Sequence, residues 1–155
     1  MRTEGMTAQE IIKEYRDDIK KLTTYLPWLS EKKKMMVSSL YNHEELAEHS
    51  LVFPVYDSRL MQFVRDARDT KFMNPNYVYL YTRNRLKSTE AEKKMIAETG
   101  ILKLDQLGDI LSRYILGGQT KAMLWTQGMQ EGIFFAIVSK AAELLEFWEN
   151  AEKQE

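Results

Sequence analysis

An all-α fold is what this sequence predicts: a single compact domain of five to seven helices around a helical core in the last third of the chain. Two observations carry that expectation. Apolar residues recur in steps of three and four along most of the chain, and the marked segments are bounded by helix-start residues and glycines. Strand-like runs are short or interrupted by proline, so no convincing pair of strands can be drawn. Composition agrees, since 155 residues contain only seven Gly and three Pro, with 44% hydrophobic and 29% charged residues. That balance is globular and helix-leaning. The length suits one domain over residues 7–150, with flexible tails at 1–6 and 151–155.

The core is expected between Leu104 and Trp148. Leu107, Ile110, Leu111, Tyr114 and Ile115 make a first helical face that runs into Gly117-Gly118, one of which is expected to turn left-handed between two helices. Met123, Leu124 and Trp125 mark a second segment. Gly128 and Gly132 then read as a cap and a close-packing position. Ile133, Phe134, Ile137, Val138, Ala141, Leu144, Leu145 and Trp148 form a wide apolar stripe on a third. Trp125 and Trp148 sit on apolar faces and are read as core.

Upstream, Thr7-Ala8-Gln9-Glu10 has the form of a capping box, in which the Thr7 hydroxyl and Glu10 carboxylate serve each other's backbone amides. Ile12, Tyr15, Ile19, Leu22, Leu26 and Leu29 follow as one face of an amphipathic helix. Pro27 should end or kink it near Tyr25. Lys32-Lys33-Lys34 is read as a solvated face, Ser38–Asn42 as a loop and Leu51–Tyr56 as an extended lead-in. Asp57 or Ser58 then caps a helix over Arg59–Thr70, with Leu60, Phe63, Val64 and Ala67 inward. Asn74-Pro75-Asn76 is a turn. In Tyr77–Leu86 the alternation of Tyr77, Tyr79 and Tyr81 suits a strand, but a lone strand has no partner, so a helix is preferred. Ser88 or Thr89 caps Glu90–Glu98, a mostly polar helix expected to lie outermost and to stop at Gly100.

The sequence assigns no catalytic residue and no cofactor. A formal net charge of −1 creates no global field for nucleic acid or an anionic membrane. Without cysteine there is no disulfide, thiolate or cysteine-ligated zinc. The two histidines, His43 and His49, lie six apart, about 240° round a helix, and do not share a face for a metal. Gly117-Gly118-Gln119-Thr120-Lys121 lacks both the spacing and the preceding strand of a phosphate-binding loop. No stretch has the roughly 20 apolar residues needed to span a bilayer, and a cytoplasmic protein is expected. One polar cluster remains, Tyr77, Tyr79, Tyr81, Arg83 and Arg85. Aromatics beside guanidinium groups can stack bases and clamp phosphates. The preferred alternative has half-buried tyrosines and arginines paired with nearby carboxylates.

Three stretches carry a resemblance: Phe53-Pro54-Val55-Tyr56-Asp57-Ser58, Asn76 to Arg85, and Tyr114-Ile115-Leu116-Gly117-Gly118-Gln119-Thr120-Lys121 continuing through Trp125 to Phe134. Together they resemble a family of small helical proteins, a domain of unknown function found in anaerobic Gram-positive gut bacteria, over about Tyr25 to Trp148. The resemblance implies a helical fold and no particular activity or cofactor. Where that family continues its tryptophan as Ser-Glu-Gly, this chain has Thr126 and Gln127 before Gly128, so a carboxylate role there does not transfer. The functional expectation is a small interaction protein presenting a helical surface to a protein partner or to a second copy of itself. It rests on nine Met and seventeen aromatic residues, more sticky surface than one small core needs. Ile133–Trp148 in particular carries apolar residues on more than one side. The rival expectation is a binding module for an anionic ligand, a nucleotide or single-stranded nucleic acid, through residues 77–85.

Overall fold

The computed structural model describes residues 3–34, 58–121 and 123–153. His43, His49, Ser38–Asn42 and Leu51–Tyr56 lie outside the described residues. Within them the fold is all-helical, as expected, with no strand. The elements are α1 (Ala8–Thr23), α2 (Leu26–Lys34), α3 (Ser58–Arg68), α4 (Val78–Asn84), α5 (Thr89–Glu98), a 3-10 turn (Ile101–Lys103), α6 (Asp105–Gly117), α7 (Met123–Gln130) and α8 (Ile133–Lys153). The described residues thus hold eight α-helices, against the expected five to seven. Pro27 supplies the extra break: α1 stops at Thr23 and α2 restarts with Pro27 in its first turn, where a missing N–H costs nothing.

Local chemistry sets most helix ends. The Thr7 hydroxyl accepts from the Glu10 amide at 3.1 Å while the Thr7 amide donates to Glu10 Oε1 at 3.0 Å, so the capping box is complete. The Asn74 side-chain oxygen accepts from the Asn76 amide at 2.9 Å, an Asx turn that leads into α4. The Ser88 hydroxyl accepts from the Ala91 amide at 3.1 Å and starts α5. That helix ends at Thr99, and Gly100 is extended there rather than left-handed.

The long α8 is the centre. Ile133, Phe134, Ile137, Val138, Ala141 and Leu145 are each at most 5% exposed, and α1, α2, α5, α6 and α7 all pack on this helix. The face that α1 contributes is Ile11, Ile12, Tyr15, Ile19 and Leu22. Two expectations about the chain ends change. Thr3 is buried, with its hydroxyl 3.0 Å from the Leu102 carbonyl and 3.1 Å from Asp105 Oδ1, so residues 1–6 are not a loose tail throughout. At the other end α8 runs on to Lys153 instead of giving way to a tail at 151.

The glycines also divide their work differently. Neither Gly117 nor Gly118 is left-handed; the turn between α7 and α8 is taken by Gly132, at φ 79°. Gly118 is needed for space. A Cβ there would lie 2.1 Å from Trp125 Nε1, which donates to the Ile115 carbonyl at 3.0 Å. Gly128 likewise leaves room for the Phe134 ring, 2.6 Å from where its Cβ would stand. Trp125 is therefore core, held by a hydrogen bond as a buried indole requires. A Cβ at Gly117 would meet the tip of Leu124 at 3.1 Å and the Tyr77 hydroxyl at 3.4 Å. Gly118→Ala is thus expected to cost about 2 kcal/mol by overpacking against a fixed indole. Gly117→Ala should cost about 1 kcal/mol or less, because a leucine methyl can yield. Urea unfolding midpoints of the two variants, with Trp fluorescence as the probe, check that order.

Candidate functional site

The five residues singled out in the sequence do not form one site. Once Tyr77–Arg85 is helical, residues two apart stand on opposite sides and residues four apart share a side. Tyr77 and Tyr81 are accordingly half-buried, whereas Tyr79 and Arg83 are exposed. Arg85 ends α4 in a left-handed conformation, at φ 53°, with its amide bonded to the Tyr81 carbonyl. It is the one non-glycine residue with positive φ among the described residues. Its contribution is a backbone turn, and its side chain is exposed. Among the described residues, neither Arg83 nor Arg85 forms the expected ion pair with a carboxylate.

The buried acid of this region is Glu92, which sequence reasoning missed. It lies in α5, is 3% exposed, and belongs to the helix expected to be polar and outermost. Ile96, four residues on and also buried, was the available signal that this face turns inward. Tyr81 donates its hydroxyl to Glu92 Oε2, and Tyr114 donates to Oε1 at 2.7 Å. Arg113 Nη1 reaches Oε2 at 3.3 Å. The Arg113 guanidinium also lies 5.4 Å from the Tyr81 ring centroid and 4.9 Å from that of Tyr114. Two phenols and one guanidinium from α4 and α6 thus close on one carboxylate from α5.

Burial first, and then the bond to the Glu92 carboxylate, hold both phenols well above the ordinary tyrosine range. They are neutral donors throughout the physiological range. Glu92 is 3% exposed and has both oxygens engaged. The cluster is a clamp joining three helices, and its chemistry is structural.

A cleft of about 350 Å3 opens on the other side of α4, lined by Tyr79, Leu80 and Arg83, by Asn74 and Asn76, and by Asp105 and Asp109. Asp105 is 3% and Asp109 9% exposed, one turn apart on α6. Each is fixed: Asp105 by the Thr3 hydroxyl, Asp109 by the Asn74 side-chain amide at 2.8 Å. Asn74 is itself anchored, its backbone amide donating to Ser112 Oγ at 2.8 Å. Two of the predicted residues, Tyr79 and Arg83, therefore do reach an open cleft, but opposite carboxylates rather than beside a second arginine. Among the described residues, no three His, Asp or Glu side chains converge in a way that suits a metal.

A second surface feature lies where the 3-10 turn meets α8. Leu102 is 60% and Phe147 64% exposed. Phe147 stands edge-on to Trp148, ring centroids 5.4 Å apart. Trp148, Leu102, Ile101 and Ala8 line a groove of about 430 Å3, with Lys103 at its rim. No helix among the described residues is long and apolar enough to cross a membrane. No protein-family model, curated protein or solved structure matches the chain.

Two outcomes follow from the buried bonds between phenols and carboxylates. Glu92→Gln removes the charged acceptor of three donors, and each such bond is worth about 1.5–3 kcal/mol. A loss of about 3 kcal/mol is expected in a denaturant melt. The second is alkaline. Tyr25, buried and donating to Asp66, has its pKa pushed from 10.0 up to about 12. A phenol whose folded pKa is raised adds stability in full below its unfolded value, and that stability is lost as the pH rises through the folded one. The fold should therefore weaken from about pH 10 upward. Absorbance at 295 nm should show Tyr25, Tyr81 and Tyr114 ionising only together with loss of the helical circular dichroism signal.

Proposed function

We propose that this chain is a small cytosolic interaction protein that works as a homodimer, pairing through the face made by Leu102, Phe147 and Trp148. The observation that carries the reading is the exposure of two large apolar side chains around one apolar groove, at the junction of the 3-10 turn and α8. A surface of that kind marks an interaction site more often than a solvated face. The broader apolar surface expected of Ile133–Trp148 is smaller than the sequence suggests, since Phe134, Ile137 and Val138 are buried within the fold. Phe147 is exposed, and Phe135, Leu144 and Trp148 are half-buried.

A second copy suits the face because its charges are mixed. Lys103 stands at the groove's rim, and the exposed Glu143 lies one helical turn before Phe147. A twofold axis brings a patch against itself, so a face of mixed charge, with Glu143 already 4.0 Å from Lys140, adds no like-charge block between copies. A net charge of −1 adds little repulsion between copies. A stable interface takes about 800 Å2 from each partner, a modest share of the 9553 Å2 that the described structure exposes.

An anionic ligand is the weaker reading. Arg85 leaves α4 in a left-handed turn, and Arg83 shares its cleft with the carboxylates of Asp105 and Asp109 rather than with a second arginine. Static light scattering at micromolar concentration tests the dimer. The chain should weigh in at twice its monomer mass. Leu102→Glu and Phe147→Glu should each return it to monomer with melting unchanged, since both side chains are exposed. A strict monomer at every concentration would dismiss the reading.

A further inference from the structure

We infer that Phe147 of each copy seats in the apolar groove of the other, so that one twofold axis closes two identical ring-in-groove contacts. This rests on the dimer proposed above and assigns which side chain meets which surface. The groove is built by Ala8 at the start of α1, by Ile101 and Leu102 in the 3-10 turn, and by Trp148 on α8, with Lys103 at its rim. Phe147 is not one of its walls. The Phe147 ring is 64% exposed and stands beside the groove, edge-on to Trp148 at 5.4 Å. A volume of about 430 Å3 is at the small end of ligand cavities and takes one phenylalanine side chain. Gly100, also in the wall, has no other described atom within 4 Å of where a Cβ would stand, so a ring can approach the backbone there. One face of the molecule thus carries an apolar projection and an apolar recess side by side.

That adjacency selects a second copy as the occupant. A twofold axis midway between a projection and a recess brings them together twice, which closes the pair and leaves neither uncovered. Setting Phe147 against Phe147 across the axis would instead leave both grooves open to water. Insertion hides most of a ring that can bury roughly 150–250 Å2, together with the exposed Leu102 and the half-buried Trp148, and does so twice. Those contacts supply the dry centre of the roughly 800 Å2 that a stable interface takes from each partner. The flanking charges run the same way. Of the exposed acids that precede Phe147 on α8, Glu143 already meets Lys140 at 4.0 Å. Glu146 forms no ion pair among the described residues, and neither does Lys103 at the groove's rim. A ring beside an acid suits a groove beside a cation.

Two variants of the full chain, Phe147→Lys and Leu102→Glu, test which residue meets which. Each alone spoils both contacts, so each should be monomeric by static light scattering at a concentration where the parent is a dimer. Both side chains are exposed, and the melting temperature of each variant should match the parent's. Mixed one to one, the variants can form a pair with one native contact, Phe147 of one copy in the unaltered groove of the other. The second contact of that pair sets the introduced lysine against the introduced glutamate. The mixture should therefore recover the dimer mass, with a dissociation constant at least about tenfold below that of either variant alone. If the parent is a dimer and the mixture stays monomeric, the ring-in-groove pairing is overturned while dimerisation stands. A parent dimer that neither variant weakens overturns it as well. A parent that is monomeric at every concentration overturns the dimer itself and leaves the groove to a different occupant.

Discussion

Four aromatic rings in a row hold the interior together. Tyr25 meets Phe63 at 5.3 Å, Phe63 meets Phe134 at 4.8 Å, and Phe134 meets Tyr114 at 5.9 Å between centroids. The row starts in the link between α1 and α2, passes through α3 and α8, and ends in α6. Its two inner members are phenylalanines with no exposed surface, and its two ends are tyrosines. That order has a physical reason. A ring deep in a core must carry no unpaired polar atom, while a phenol at the edge can be buried if its hydroxyl finds an acceptor. Both do: Tyr25 donates to Asp66 and Tyr114 to Glu92. The two acids are what allow the row to be four rings long, and Gly128 is what allows Phe134 to lie in it.

The same arrangement separates structure from surface chemistry. The buried acid with the strongest set of donors, Glu92, is used up in joining α4, α5 and α6. Asp105 and Asp109, bonded to Thr3 and Asn74, line an open cleft instead. Helix α4 stands between them, with Tyr81 turned to one side and Tyr79 and Arg83 to the other. One seven-residue helix thus serves both the interior and the cleft.

How much of this the sequence held depends on the distance over which each feature acts. Local features were readable: the Thr7–Glu10 box, the Pro27 break, the Asn74 turn and the Ser88 cap are fixed by neighbours within a few residues. The apolar stripe of α8 was readable because its period is its own. Features made through space were not. Gly118 looks like a turn residue, yet its role is to admit the indole of Trp125. Glu92 looks like one charge among many on a polar helix, and only its partners from α4 and α6 explain its burial. The Tyr/Arg cluster lies between these cases. Helical phase divides Tyr79 and Arg83 from Tyr77 and Tyr81, while Arg85 leaves the helix in a left-handed turn.

The packing of α1 on α8 has a consequence for how the chain is made. The apolar face of α1 is complete by Thr23, but the helix that covers most of it does not begin until Ile133. During synthesis, Ile11, Ile12, Tyr15, Ile19 and Leu22 therefore leave the ribosome long before their main partner exists. Pairing across such a sequence separation slows folding and leaves apolar surface open meanwhile. The capping box matters most in that interval, since it lets α1 persist as a helix with Lys13, Glu14 and Asp17 on its outer side, keeping the nascent segment wet on one face until α8 arrives.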